Sequence, residues 1–411
     1  MTTTATYRVP GAVLTEREHR VPLDHVGPDG RSITVFTREL AAPDGLDRPY
    51  LVFLQGGPGF EAARPTSPPS GWMRRALQEY RVLLLDQRGT GRSTPVGPRI
   101  PGDIAEDQAA YLTYFRADSI VRDCEWIRRE LGVERWTVLG QSFGGFTSLT
   151  YLSIAPDGLD AALITGGLSP VGRSVDDVYA ATWRRVGEAN ARYFERYPHD
   201  RARMGDIGAR LEADDVRLPG GDRLTARRFR QLGMWLGDSA GFELLHHVLE
   251  LPFGSPAFLH DVENAVRWDR NPLYATLHES SYADGVATRW AAHRLAPEAA
   301  LAGELFTAEQ VFPWMWEDYG GLRLHAEAAE LLAQHPWPRL YDASVLARNT
   351  VPVAATIYVD DVYVERAFAE QTASLVRGLR PWITNEYAHN GLRADGERVV
   401  GRLIDLAKGR A

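Results

Sequence analysis

The chain has 411 residues and a formal charge of −8, longer than one ordinary core needs, so one large domain with an insertion or two domains is expected. Its arginines are scattered among acids, which argues against a nucleic-acid partner, because that affinity rests on clustered cations. The single cysteine, Cys124, excludes an internal disulfide and a cysteine-based metal site, and it falls on the apolar stripe Ile120, Val121, Cys124, Ile127, Leu131 as a packing residue.

Met1 to Val13 is polar and threonine-rich, has no apolar leader run, and reads as a loose start. No window of about 18 apolar residues follows, so no membrane partner is expected and a cytoplasmic location is the simplest account. Two alternating runs, Glu18 to Leu23 and Ser32 to Leu40, flank Gly27-Pro28-Asp29-Gly30 and predict a hairpin at a sheet edge. Short apolar runs then predict buried strands at Pro49 to Leu54, Arg81 to Leu85, Arg135 to Leu139 and Ala161 to Thr165. Asp118 is placed to cap a helix over 119–131, and Phe146 to Ile154 reads as another helix. From Ser169 to Ala347 the texture changes to amphipathic segments rich in Trp and Tyr, such as Ala180 to Tyr197, Arg227 to Trp235, Phe242 to Leu249 and Leu322 to Ala333. Strand patterning resumes at Val351 to Val359 and Pro381 to Tyr387, with helices at Phe368 to Leu379 and Glu397 to Lys408. The fold class is therefore α/β: a mostly parallel sheet flanked by helices, its core split between 1–168 and 348–411, with an all-helical cap inserted at 169–347.

Strand ends carry the chemistry. Gly140-Gln141-Ser142-Phe143-Gly144 follows a strand and precedes a helix, as in a nucleophile elbow, which makes Ser142 the candidate nucleophile. A serine needs a histidine to take its proton and a carboxylate to hold the imidazole, in the chain order Ser, Asp, His. His389 follows the last strand, and Asp360 and Asp361 end the strand before it. Neighbouring strand residues point to opposite faces, so only one acid can meet the histidine, and Asp361 is favoured. Oxyanion donors would be the N–H groups of Phe143 and of Gly57, with Gly56 the next choice, because Pro58 has no N–H. Histidines lack metal-binding spacing, His246 and His247 being adjacent, so no metal is expected.

Three motifs occur together: Gly56-Gly57-Pro58-Gly59, Asp86-Gln87-Arg88-Gly89-Thr90-Gly91-Arg92-Ser93 and Gly140-Gln141-Ser142-Phe143-Gly144-Gly145. In combination they resemble the prolyl aminopeptidase (proline iminopeptidase) branch of the α/β-hydrolases, over residues 15 to 170 and from 350 onward. The resemblance implies a cofactor-free serine peptidase that releases an N-terminal residue, usually proline, from short peptides, with cap glutamates binding the amine. Here the candidates are Glu279 and Glu309, both beside aromatics, with Glu61 a third; Asp86 and Arg88 read as braces for the loops. One departure is Gln55, where many members have histidine. The expected partner is a small peptide or other small molecule; an esterase or amidase of the same fold is the alternative, and a non-catalytic binding protein a more distant one. The oligomeric state is left open.

Overall fold

The computed structural model describes residues 1–410. Nine strands form one sheet: β1 (Thr2–Val9), β2 (Ala12–Pro22), β3 (Ser32–Ala41), β4 (Tyr50–Leu54), β5 (Arg81–Asp86), β6 (Trp136–Gln141), β7 (Leu159–Thr165), β8 (Val353–Tyr358) and β9 (Leu379–Thr384). Their order is β1-β2-β3-β5-β4-β6-β7-β8-β9. From β1 to β5 the pairs are antiparallel; from β5 through β4 to β9 they are parallel.

The apolar runs are continuous because both faces of the parallel region are covered. Alternate residues of a strand go to opposite faces: Val52 and Leu54 join one core cluster, Leu51 and Phe53 the other. One cluster is roofed by the helix Gly396–Ala407, the other by the helices Ala117–Glu130 and Phe143–Ile154. Cys124 is fully buried in the latter cluster, and burial pushes its thiol well up.

Two local readings are corrected. Met1 to Val13 is not loose: Thr2–Val9 pairs with β2, and the threonines that look merely polar are β-branched residues suited to an edge strand. The helix expected to start after Asp118 begins at Ala117, with Arg116 before it making no side-chain cap; Asp118 lies in the first turn and binds Arg122 at 3.0 Å.

Between β7 and β8 every element is helical apart from an isolated bridge between Arg217 and Arg223. The longest helix there, Val175–Arg196, opens with a capping box built by Ser174 and Asp177. Others are single turns such as Ala291–Arg294. Among the described residues no helix is long and apolar enough to cross a membrane.

Candidate active site

Ser142 stands between β6 and its helix with φ 54° and ψ −121°, a conformation that costs a non-glycine residue about 1–3 kcal/mol. The turn survives because its surroundings leave room for nothing else. A Cβ at Gly144 would run into the Leu54 carbonyl of β4, and one at Gly140 into the Gly144 carbonyl. The Ser142 N–H is tied to Thr165 O on β7 at 3.0 Å. The helix begins at Phe143, directly after the serine, earlier than the Phe146 expected from the sequence.

His389 lies on the loop after β9. Its Nε2 is 2.8 Å from Ser142 Oγ and its Nδ1 is 2.7 Å from Asp361 Oδ2. The other Asp361 oxygen accepts the N–H groups of Tyr363 and Val364 at 2.8 and 3.1 Å, which fixes the carboxylate from behind. Asp360 points outward, half exposed, and meets Arg192 at 3.4 Å. Burial alone would lower the His389 imidazole; the Asp361 charge and hydrogen bond, joined by the Glu309 charge, outweigh it and hold the group above its ordinary value.

At the helix start the Phe143 N–H has no acceptor among the described residues, nor does the N–H of Gly57. Gly57 adopts φ 134°, which glycine alone takes without strain. Gly56 packs against Ser142: a Cβ there would lie 3.0 Å from Ser142 Cβ. The Gln55 carbonyl, at the departure from the family pattern, accepts from Gln87 Nε2 at 3.0 Å, so the two glycine-rich loops brace each other.

Arg88 is buried and spans loops as a clamp. It grips Asp123 at 2.7 and 2.6 Å and the carbonyls of Leu23 and Tyr114 at 2.9 and 2.6 Å. Asp86 accepts the Arg92 N–H at 3.0 Å within its own loop, and burial raises its carboxyl. Neither faces the serine's base.

The helical insertion supplies the other wall. Tyr282 packs edge-on against Phe146, one turn past the serine, with centroids 5.4 Å apart. Its hydroxyl donates to Glu309 Oε1 at 3.1 Å. Tyr363 stacks edge-on against the His389 ring at 4.9 Å. Glu309 therefore lies across from the triad with its side chain 12% exposed. Burial pushes its carboxyl up, but His278, His389 and Tyr282 around it hold it below its ordinary value.

The other two glutamates face elsewhere. Glu279 is buried with its oxygens on the N–H groups of Ala291 and Ala292 at 3.2 and 2.9 Å, satisfying the open start of the helix Ala291–Arg294, and burial raises its carboxyl. Glu61 pairs with Arg270 and accepts from Asn271 at 3.3 Å, tying the Gly-Pro-Gly loop to the insertion. Sequence reasoning missed the segment that holds His389 from the insertion: His389 N donates to Gly237 O at 3.0 Å, and Ala388 N to Ser239 Oγ at 3.1 Å. Asn390, next to the histidine, was the available signal, since a buried amide demands partners. Among the described residues no three His, Cys, Asp or Glu side chains gather as a metal-ligand set.

A hydroxyl, imidazole and carboxylate in hydrogen-bonded series, on loops at the carboxyl ends of parallel strands, define a serine hydrolase of the α/β-hydrolase fold. The alpha/beta hydrolase fold family matches residues 49–215. The chain is 50% identical to the proline iminopeptidase of Aeromonas sobria across 94% of each chain. It is 34% identical to a proline iminopeptidase of Aspergillus aculeatus, across 96% of this chain and 94% of that one. The chain belongs to the proline iminopeptidase family.

Proposed function

We propose that this enzyme releases N-terminal proline from short peptides, with Ser142, His389 and Asp361 as its catalytic residues and the helical insertion, residues 169–347, as a cap over them. Ser142 Oγ attacks the carbonyl carbon of the first residue while His389 Nε2 takes its proton. The N–H groups of Phe143 and Gly57 receive the oxyanion. His389 then protonates the departing peptide nitrogen, leaving prolyl ester on Ser142. Water, deprotonated by the same imidazole, attacks that ester; proline leaves and Ser142 regains its proton. Asp361 keeps the His389 proton on Nδ1 throughout and stabilises the imidazolium.

One observation carries the aminopeptidase reading: a carboxylate from the insertion, Glu309, is held by the Tyr282 hydroxyl at 3.1 Å, and the Tyr282 ring packs on Phe146, one turn past Ser142. A free N-terminus is a cation beside the scissile bond, and at about 4 Å such a pair gains up to roughly 4 kcal/mol at an effective dielectric of 20, before desolvation is subtracted. Glu279 belongs to the frame of this pocket. A cytoplasmic site of action is part of the same reading; the one cysteine is free and buried, so the fold asks for no oxidising compartment.

A panel of aminoacyl arylamides with free and blocked amines, assayed beside simple aryl esters, tests the proposal. Fast turnover of the free prolyl arylamide and loss on blocking the amine are expected. Ester turnover with no arylamide turnover would replace the peptidase reading by an esterase.

A further inference from the structure

The insertion takes hold of both loops that carry the acid and the base. On the acid side, Glu365 is buried four residues past Asp361, and Arg185 of the helix Val175–Arg196 grips its carboxylate twice, at 2.8 and 2.9 Å. On the base side, Gly237 O accepts the His389 N–H at 3.0 Å. Tyr363 stands buried between these grips and touches all three parties. Its N–H donates to Asp361 Oδ1 at 2.8 Å, its ring is edge-on to the His389 imidazole with centroids 4.9 Å apart, and its hydroxyl donates to the Met234 carbonyl of the insertion. Met234 and Gly237 belong to one short 3-10 helix, Gln231–Gly237, so the turn that receives the tyrosine hydroxyl also receives the histidine N–H. There is no slack in this fit. A Cβ on Gly237 would run into the Tyr363 ring, although that glycine keeps out of the left-handed region and is required for space alone.

We propose that Tyr363 is a positioning residue that transmits the seating of the insertion to the imidazole of His389. The turn 231–237 fixes the phenol, and the phenol fixes the angle at which Nε2 meets Ser142 Oγ. The inference rests on the assignment of Ser142, His389 and Asp361 above, and not on which substrate they serve. Both imidazole nitrogens are already engaged, one with Asp361 and one with Ser142, so a polar neighbour would compete for them. An aromatic edge restrains rotation of the ring without taking either nitrogen. Tyr363 itself moves no proton. The restraint matters because a misplacement of about 1 Å in a reacting group costs about 10²-fold in rate.

Three variants test it. Tyr363→Phe removes the hydroxyl link and keeps the ring, Tyr363→Leu removes both, and Gly237→Ala crowds the ring from the side of the insertion. Each is assayed on a prolyl arylamide and on an aryl ester of cyclopentanecarboxylic acid, with kcat counted per active site titrated by a fluorophosphonate, so that unfolded protein does not register as lost rate. On both substrates Tyr363→Phe is expected to lose about fivefold in kcat, in keeping with one hydrogen bond. Tyr363→Leu should lose about 10- to 100-fold, with KM within about twofold in both variants. Gly237→Ala alone should cost about tenfold as the ring is pushed aside. Added to Tyr363→Leu it should cost little more, because the ring it collides with is gone. An unchanged kcat per active site in Tyr363→Leu, a loss confined to KM, or additive losses for Gly237→Ala and Tyr363→Leu would each overturn the proposal. A wild-type enzyme whose Ser142 takes no fluorophosphonate would instead remove the assignment of the triad, and this inference with it.

Discussion

Ser239 of the helical insertion holds Asn390, the neighbour of His389: its hydroxyl donates to Asn390 Oδ1 at 2.7 Å and its N–H reaches the same oxygen at 3.1 Å. The same hydroxyl accepts from Ala388, so the residues on both sides of His389 are secured by one side chain. Ser239→Ala is expected to lower kcat about fivefold, in keeping with one lost hydrogen bond of about 1 kcal/mol, and to leave KM for the prolyl arylamide in place. Ser239→Thr retains the hydroxyl and should restore the rate. Steady-state kinetics on the three proteins decide it; a change confined to KM would count against a positioning role.

The two adjacent acids should separate cleanly. Asp361→Asn leaves the geometry and spoils the tautomer, so kcat should fall by about 10⁴. Asp360→Asn, on an exposed pair with Arg192, should stay close to wild type. Labelling of Ser142 by a fluorophosphonate follows the same order, strongly slowed in the first variant and unchanged in the second.

The pH profile follows from the base. His389 must be neutral to accept the serine proton, and its value is held above the ordinary one despite burial, by Asp361 and Glu309. Activity should therefore be present at high pH and fall as pH drops through that raised value. Glu309→Gln removes one of the two negative charges, so the acid limb of kcat/KM should move to lower pH. An ester substrate without an amine isolates the effect from substrate binding. A limb that stays in place or moves upward would show that the Glu309 charge does not reach the base.

Glu279 supports the pocket's frame. Glu279→Ala leaves two buried N–H groups without acceptors, a loss of about 2 kcal/mol or more. Thermal unfolding should show a lower Tm, while the preference for a free over a blocked prolyl amine should persist. Lost preference with an unchanged Tm would return Glu279 to the amine site.

The core was legible because its chemistry sits where strands end. A strand, a glycine-flanked serine and a helix are a local pattern, and period-two alternation says that only one of Asp360 and Asp361 can meet the histidine, without choosing between them. The insertion was less readable. A segment of single turns such as Ala291–Arg294 has too few residues to show a helical period, so the direction of a side chain there depends on tertiary contacts. Glu279 and Glu309 look alike as letters. What separates them is that a backbone helix start, twelve residues on from Glu279, takes up its carboxylate. The start of β1 was misread for a related reason: threonine is polar by composition and β-forming by shape.

The insertion leaves the sheet after β7 and returns at β8, and these two strands are hydrogen-bonded neighbours, Ala162 opposite Val353. Both ends of the insertion are therefore attached at one seam of the scaffold. In principle it can be exchanged as a single cassette between those two strand ends while Ser142, Asp361 and His389 remain where they are. The seam does not make the exchange free, since Gly237 and Ser239 travel with the cassette and steady the base. A donor segment that changes the substrate would have to bring its own grip on the histidine loop.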